Sequence, residues 1–137
     1  MNLYAENVLD HYRHPHRKAP LASPHVEHAE VNASCGDVVT VQLRLEGGKI
    51  ADIGWNGEGC AISQAAMSLL ADALSDMPEQ DLLALPASSM LDLLGVDVGP
   101  RRLKCALLAL HTAQNALRKY RGLPPQPWRE TLAEATA

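Results

Sequence analysis

Val39-Thr40-Val41-Gln42-Leu43-Arg44-Leu45-Glu46-Gly47-Gly48-Lys49-Ile50 decides the fold. Apolar and polar side chains alternate up to Glu46, the period-two mark of a half-buried strand, so residues 38–46 turn Val39, Val41, Leu43 and Leu45 toward a core. Gly47-Gly48 then supplies a two-residue hairpin turn. The return strand is Ile50–Asn56, with Ala51, Ile53 and Trp55 expected on one face. Upstream, a strand from about His25 to Val31 completes a three-stranded antiparallel meander with one face available for burial.

Beyond Gly59 the period changes, and Ile62, Ala65, Ala66, Leu69, Leu70 and Ala73 recur at helical spacing. Asp76-Met77-Pro78-Glu79 reads as a helix start, with Asp76 as cap and Glu79 three residues on, and the helix ends near Pro86. Ser88 or Ser89 is expected to cap another short helix reaching Leu94. Pro100 opens the longest helix, about 101–121, with Leu103, Leu107, Leu110, Ala113 and Leu117 inside and Gly122 at its end. At the other end of the chain, residues 2–13 read as a helix with a stripe of Leu3, Val8, Leu9 and Tyr12, stopped by Pro15. The order predicts an α+β domain, a three-stranded antiparallel sheet with helices packed mainly on one face. Residues 1–122 form the domain; 123–137 are a Pro-rich linker and a tail, of which 128–137 read as a weak helix.

The bulk composition narrows the functional classes. A chain of 137 residues, 47% apolar and 20% charged, is of a size for one domain with a real core. Its net charge of −4 argues against a general nucleic-acid binder, and 4% aromatic content without Phe leaves few platforms for stacking bases. The start Met1-Asn2-Leu3-Tyr4-Ala5-Glu6 lacks the pattern of a signal peptide, and no apolar run approaches membrane-spanning length. A cytoplasmic, reducing setting follows as the expectation, and it keeps thiols free for chemistry.

The chain holds three cysteines, Cys35, Cys60 and Cys105, and an odd count cannot pair completely within one chain. Each lies at a break in the local pattern, and Asp37 follows the first by two positions. Three thiolates and a carboxylate make the four donors that a tetrahedral zinc or iron ion takes. There is no Cys-x-x-Cys pair, so spacing alone also fits three small buried residues. The contexts favour a shared site. Gly36, Gly57 and Gly59 allow close approach of another molecule, and Cys60 and Cys105 sit near helix starts, which lower a thiol pKa. Arg101, Arg102 and Lys104 add positive charge beside Cys105. His11, His14, His16, His25 and His28 read as a solvated polar face and loop. His111, six residues after Cys105, points elsewhere on the same helix, which makes it a boundary residue and no partner for a Cys–His pair.

Four strings then align with a known pattern: Asp10-His11-Tyr12 followed by Pro15, Ser34-Cys35-Gly36-Asp37, Gly57-Glu58-Gly59-Cys60-Ala61-Ile62-Ser63 and Arg102-Leu103-Lys104-Cys105-Ala106. Across roughly residues 2–121 the chain resembles the iron–sulfur cluster scaffold family, whose members are called IscU, SufU and the amino-terminal domain of NifU. The resemblance implies a three-stranded sheet with helices. It implies that Cys35, Asp37, Cys60 and Cys105 hold a transient [2Fe–2S] cluster or iron, with zinc as the alternative occupant. Sulfur would arrive as a persulfide from a cysteine desulfurase, with Cys35 and Cys105 as candidate acceptors. A non-catalytic scaffold of the IscU kind builds the cluster and passes it to carrier or acceptor proteins. A SufU-type member is instead a zinc-dependent sulfurtransferase, and a purely structural zinc domain is the third reading.

Subtype features are mixed. Lys104 stands where IscU-type members carry His, and Arg102-x-Lys104-Cys105 is closer to the SufU type, yet the interval from Cys60 to Cys105 has the short, IscU-like length. Val98-Gly99-Pro100-Arg101-Arg102 keeps one proline of the family's chaperone-binding Leu-Pro-Pro-Val-Lys, which argues against recognition by a specialised Hsp70-type chaperone. Asp37, a hard oxygen donor among soft thiolates, is expected to keep the cluster labile.

Overall fold

The computed structural model describes residues 3–133; of the tail, 134–137 lie outside the described residues, as do the side chains of Leu3 and Tyr4. Helix α1 (Leu3–Arg13) precedes strands β1 (Val26–Asn32), β2 (Asp37–Glu46) and β3 (Lys49–Glu58). Helices α2 (Ala61–Leu74), α3 (Glu79–Leu83) and α4 (Ala87–Leu94) follow, then a single 3₁₀ turn at Pro100–Arg102 that leads into α5 (Leu103–Tyr120). A short α6 (Trp128–Leu132) closes the described chain.

The sheet is the expected antiparallel meander, in the order β1-β2-β3. Gly47 and Gly48 both take left-handed φ values, 59° and 76°, which is what a tight hairpin between Glu46 and Lys49 demands. Val39, Val41, Leu43 and Leu45 are buried, as their alternation predicts. The face of β3 departs from the simple period. Arg44 pairs with Asp52 and Leu45 with Ile50, so Ala51 is an extra residue in a β-bulge. Ile50, Ile53 and Trp55 therefore enter the core, and Ala51 is exposed.

Helix α5 lies against β1 and β2, and α2 against β3 and α5. The long helix is more than amphipathic. Every residue from Cys105 to Leu117 is buried, because the sheet, α2, α4 and α6 surround it. His111 is consequently an interior residue, 2% exposed, and no boundary residue. Gln114 and Asn115 are buried with their amides satisfied. Gln114 donates to the carbonyls of Leu82 and Leu85, and Asn115 exchanges bonds with the backbone of Gln126.

Three local expectations change. On α1 the face that meets α2 carries Val8 and His11, while Leu9 and Tyr12 are exposed. Asp76 is no helix cap. It adopts a left-handed φ of 65° because residues 76–79 bond to the β3 hairpin: Asp76 N to Ile50 O, Ile50 N to Met77 O and Glu79 N to Gly48 O, each 2.9 Å. Helix α3 thus starts after Pro78, and α4 starts after Pro86 with both serines inside its first turns. Among the described residues no helix is long and apolar enough to cross a membrane.

Candidate metal centre

The β1–β2 turn, the end of β3 with the start of α2, and the start of α5 meet at one end of the sheet. The turn is shaped by Asn32, whose carbonyl accepts the N–H groups of Cys35 (3.2 Å) and Gly36 (2.8 Å), with Gly36 left-handed at φ 74°. Asp37 is the first residue of β2, paired with Asn32, and its burial turns it inward beneath the turn. Cys35 stays exposed at the turn.

Cys35, Asp37 and Cys105 each bring a donor atom within 4.8 Å of the other two. The Cys105 thiol lies 3.5 Å from that of Cys35, and Asn32 Nδ2 approaches Cys105 Sγ at 3.6 Å. Cys60 is the residue before α2, extended at φ −70°, ψ 165°, and half-buried. Its thiol is outside the mutually close set, but its backbone is tied to it, since Cys60 N–H donates to Asp37 Oδ1 at 2.9 Å. Gly59 makes that tie possible. Its φ is +154°, and a Cβ there would lie 2.2 Å from Asp37 Oδ1 and 2.8 Å from Ser63 Oγ.

The other carboxylate oxygen, Asp37 Oδ2, is buried without a hydrogen-bond partner. A buried, unpartnered carboxylate oxygen is costly. Beside two thiols, and with a third on the adjoining segment, it is the donor set that a zinc or iron ion satisfies. Burial pushes the Cys105 thiol well above the ordinary thiol range, helped by the neighbouring Asp37 carboxylate and Cys35 thiol. The start of α5 therefore does not activate Cys105 in the metal-free protein, contrary to the sequence expectation; desolvation outweighs the helix dipole.

The cationic residues are set around this centre. Arg101 and Lys104 line an open groove of about 510 Å³ with Asn32, Ser34, Cys35 and Leu132. Arg102 is exposed. Lys104 Nζ also sits 5.5 Å from the ring centre of Trp128, which stacks on His111 at 3.9 Å. Asn32 and Leu132 were not singled out by the sequence reading. Asn32 had a signal, as a polar residue closing the strand that pairs with Asp37. Leu132 had none, since its place depends on how the tail folds back. Of the histidines, His14 and His25 are exposed as expected, while His11 is buried against Ser68.

Thiol and carboxylate donors meet at the end of a small α+β sheet, with one thiol open to a groove, an arrangement chemically fit to hold a metal ion. The family model for the NifU-like N-terminal domain matches residues 3–126, and the chain belongs to that family. It is 32% identical over 136 residues to the iron–sulfur cluster assembly scaffold protein IscU of Streptococcus pyogenes serotype M1, covering 86% of this chain and 84% of the relative. It is 28% identical over 137 residues to the zinc-dependent sulfurtransferase SufU of Bacillus subtilis (strain 168), covering 88% and 92%. Among solved structures, a candidate iron–sulfur cluster assembly scaffold for the SUF system from Fervidobacterium islandicum AW-1 superposes with a TM-score of 0.73 at 27% identity, over 82% of this chain and 94% of that one.

Proposed function

We propose that this protein is an iron–sulfur cluster assembly scaffold that receives sulfur from a cysteine desulfurase, binds iron and builds a [2Fe–2S] cluster for transfer to acceptor proteins. The observation that carries the reading is Asp37 Oδ2, buried and unpartnered within the set it forms with the Cys35 and Cys105 thiols. Cys60 supplies the third thiolate from the segment that Asp37 holds.

Exposure separates the two candidate sulfur acceptors. Cys35 is exposed beside the groove, whereas Cys105 is 2% exposed and its thiol is held protonated by burial. Cys35 therefore takes sulfur first. Its thiolate attacks the terminal sulfur of the desulfurase persulfide, the donor's S–S bond breaks as the new one forms, and the desulfurase cysteine leaves as a thiolate. Arg101 and Lys104 favour the anionic reactants in that groove. Conversion of each transferred sulfur to sulfide takes two electrons from an external reductant.

A second reading is a zinc-dependent sulfurtransferase, favoured by the lysine and arginines before Cys105 and by the likeness to the Bacillus protein. A closed structural zinc site is disfavoured by the exposure of Cys35. The deciding experiment is anaerobic reconstitution with ferrous iron, cysteine, a desulfurase and dithiothreitol. The scaffold reading predicts cluster absorbance that is lost in Cys35→Ser, Cys60→Ser and Cys105→Ser. Zinc-dependent stimulation of desulfurase turnover, with no cluster formed, would establish the second reading instead.

A further inference from the structure

A second group of metal-binding side chains lies away from the cysteines, where the end of α1 and the loop after it meet the middle of α2. His11, His16 and Asp72 each bring a donor atom within 4.8 Å of the other two. Ser68, the α2 residue to which His11 and the backbone of His16 both bond, is eight positions after Cys60, about 12 Å along the helix axis. We propose that His11, His16 and Asp72 form a second site, for a first-row divalent transition-metal ion, independent of the cysteine centre.

The arrangement is that of a first ligand with its support already in place. His11 is 7% exposed, and its Nδ1 is 2.7 Å from Ser68 Oγ, which also accepts the backbone N–H of His16 at 2.7 Å. With Nδ1–H donating to the serine, Nε2 keeps its lone pair. A metal-ligating histidine is commonly oriented in this way by a hydrogen bond through its other nitrogen. The His16 ring lies 4.4 Å from that of His11, and its Nδ1 contacts Asp72 Oδ2 at 2.5 Å. Arg17 holds the other carboxylate oxygen, Oδ1, at 3.6 Å, which leaves Oδ2 facing the imidazoles. Two imidazoles and one carboxylate suit zinc or ferrous iron, with at least one position left for water.

The distances permit this. Donors around a tetrahedral ion with bonds of about 2.0–2.2 Å lie about 3.4 Å apart. Reaching that spacing asks only for side-chain rotations of His16 and Asp72, whose side chains are 47% and 44% exposed. Two close imidazoles that both protonate would repel one another, and a bound cation uses both lone pairs without that penalty.

Cobalt(II) titration of the full chain tests the proposal. The first equivalent fills the cysteine centre and produces thiolate-to-metal charge-transfer absorbance. A second equivalent should add d–d absorbance without further charge transfer. His16→Gln and Asp72→Asn should each weaken that second event at least tenfold and leave the first unchanged, while His14→Gln should leave both intact. Both variants alter half-exposed side chains, and circular dichroism checks that they stay folded. Absence of the second event in the wild type, or its persistence at wild-type affinity in both variants, overturns the proposal. Loss of the charge-transfer event alone would count against the cysteine-centred function and leave this site standing.

Discussion

Asp37 Oδ1 accepts the backbone N–H of Cys60 at 2.9 Å, so one carboxylate both faces the Cys35–Cys105 pair and positions the segment that carries the third thiol. The two oxygens of Asp37 thus do different things: Oδ1 fixes backbone, and Oδ2 is left for a ligand. Removing the side chain takes away both at once, the tie to Cys60 and the charge that faces the thiols.

With three thiolates around a [2Fe–2S] unit, the carboxylate adds a further negative charge in a buried setting, where like charges repel most. Asp37→Ala should therefore retain a reconstituted cluster longer and transfer it to an acceptor protein more slowly, by about tenfold if the relief is near 1.4 kcal/mol. Visible absorbance followed after chelator or acceptor addition reads this directly. Equal transfer rates for variant and wild type would sink the idea.

Two glycines in the site predict different costs. At Gly59 a Cβ would collide with Asp37 Oδ1 and Ser63 Oγ, so Gly59→Ala must break the Asp37–Cys60 tie. A loss of about 2–4 kcal/mol is expected from strain and a lost charge-assisted bond, together with weakened metal binding. At Gly36, left-handed at φ 74°, a Cβ would meet nothing within 4 Å, so Gly36→Ala should cost only about 1 kcal/mol and leave metal stoichiometry intact. Denaturant unfolding and metal analysis of both variants test the contrast.

A bound ion should contribute to folding, because the site joins a turn, a strand end and two helix starts. At zinc 100-fold above its Kd the folded state gains about 2.7 kcal/mol, a Tm rise on the order of 10 °C. A chelator should reverse the rise, and Cys60→Ser or Cys105→Ser should largely abolish it. A Tm indifferent to zinc in the wild type would show that these side chains do not share an ion.

The sheet was legible because its signals are local. Alternation over residues 38–46 and the Gly47-Gly48 turn need no tertiary information. The errors lie where distant segments override local preference. Ala51 leaves its predicted face because of a bulge opposite Arg44 and Leu45, and Asp76 gives up a capping role because its backbone bonds to Ile50. The candidate site was legible as donor chemistry in four short strings. That Cys105 is buried and its thiol held protonated depends on α5 being enclosed on several sides, which no spacing within α5 reveals. The burial of His11 and His111 has no local signal for the same reason: each is covered by an element far away in sequence.

Those two histidines set a pH dependence. Burial lowers the pKa of His11, with repulsion from His16 adding to it and Asp72 and Asp10 opposing; burial likewise lowers that of His111, with Glu30 opposing and His28 and Lys104 assisting. The unfolded chain therefore binds protons more readily, and stability rises with pH across this range. The contribution is complete above about pH 6.5, the unfolded value, and is lost as pH falls through the lower folded values. Urea unfolding of the metal-free protein between pH 7.5 and 5 should show the loss, and His111→Gln should flatten part of it. An identical slope in that variant would remove His111 from the account.

The tail makes a last prediction. Trp128 stacks on His111, its ring lies under Lys104 Nζ, and Thr131 Oγ1 pairs with His111 Nδ1 at 2.7 Å. Gln126 is bonded to both Gln114 and Asn115 of α5. Trp128→Ala removes the stack and the cation–π contact together, for a cost of about 1–2 kcal/mol. It should also speed proteolysis within residues 124–133 and reopen His111 to water, moving its pKa back toward the ordinary value, which NMR titration of the imidazole would report. Because Leu132 lines the groove beside Cys35, the same variant should alkylate faster at Cys35. Unchanged alkylation alongside faster proteolysis would mean that the tail supports α5 without shielding the sulfur site.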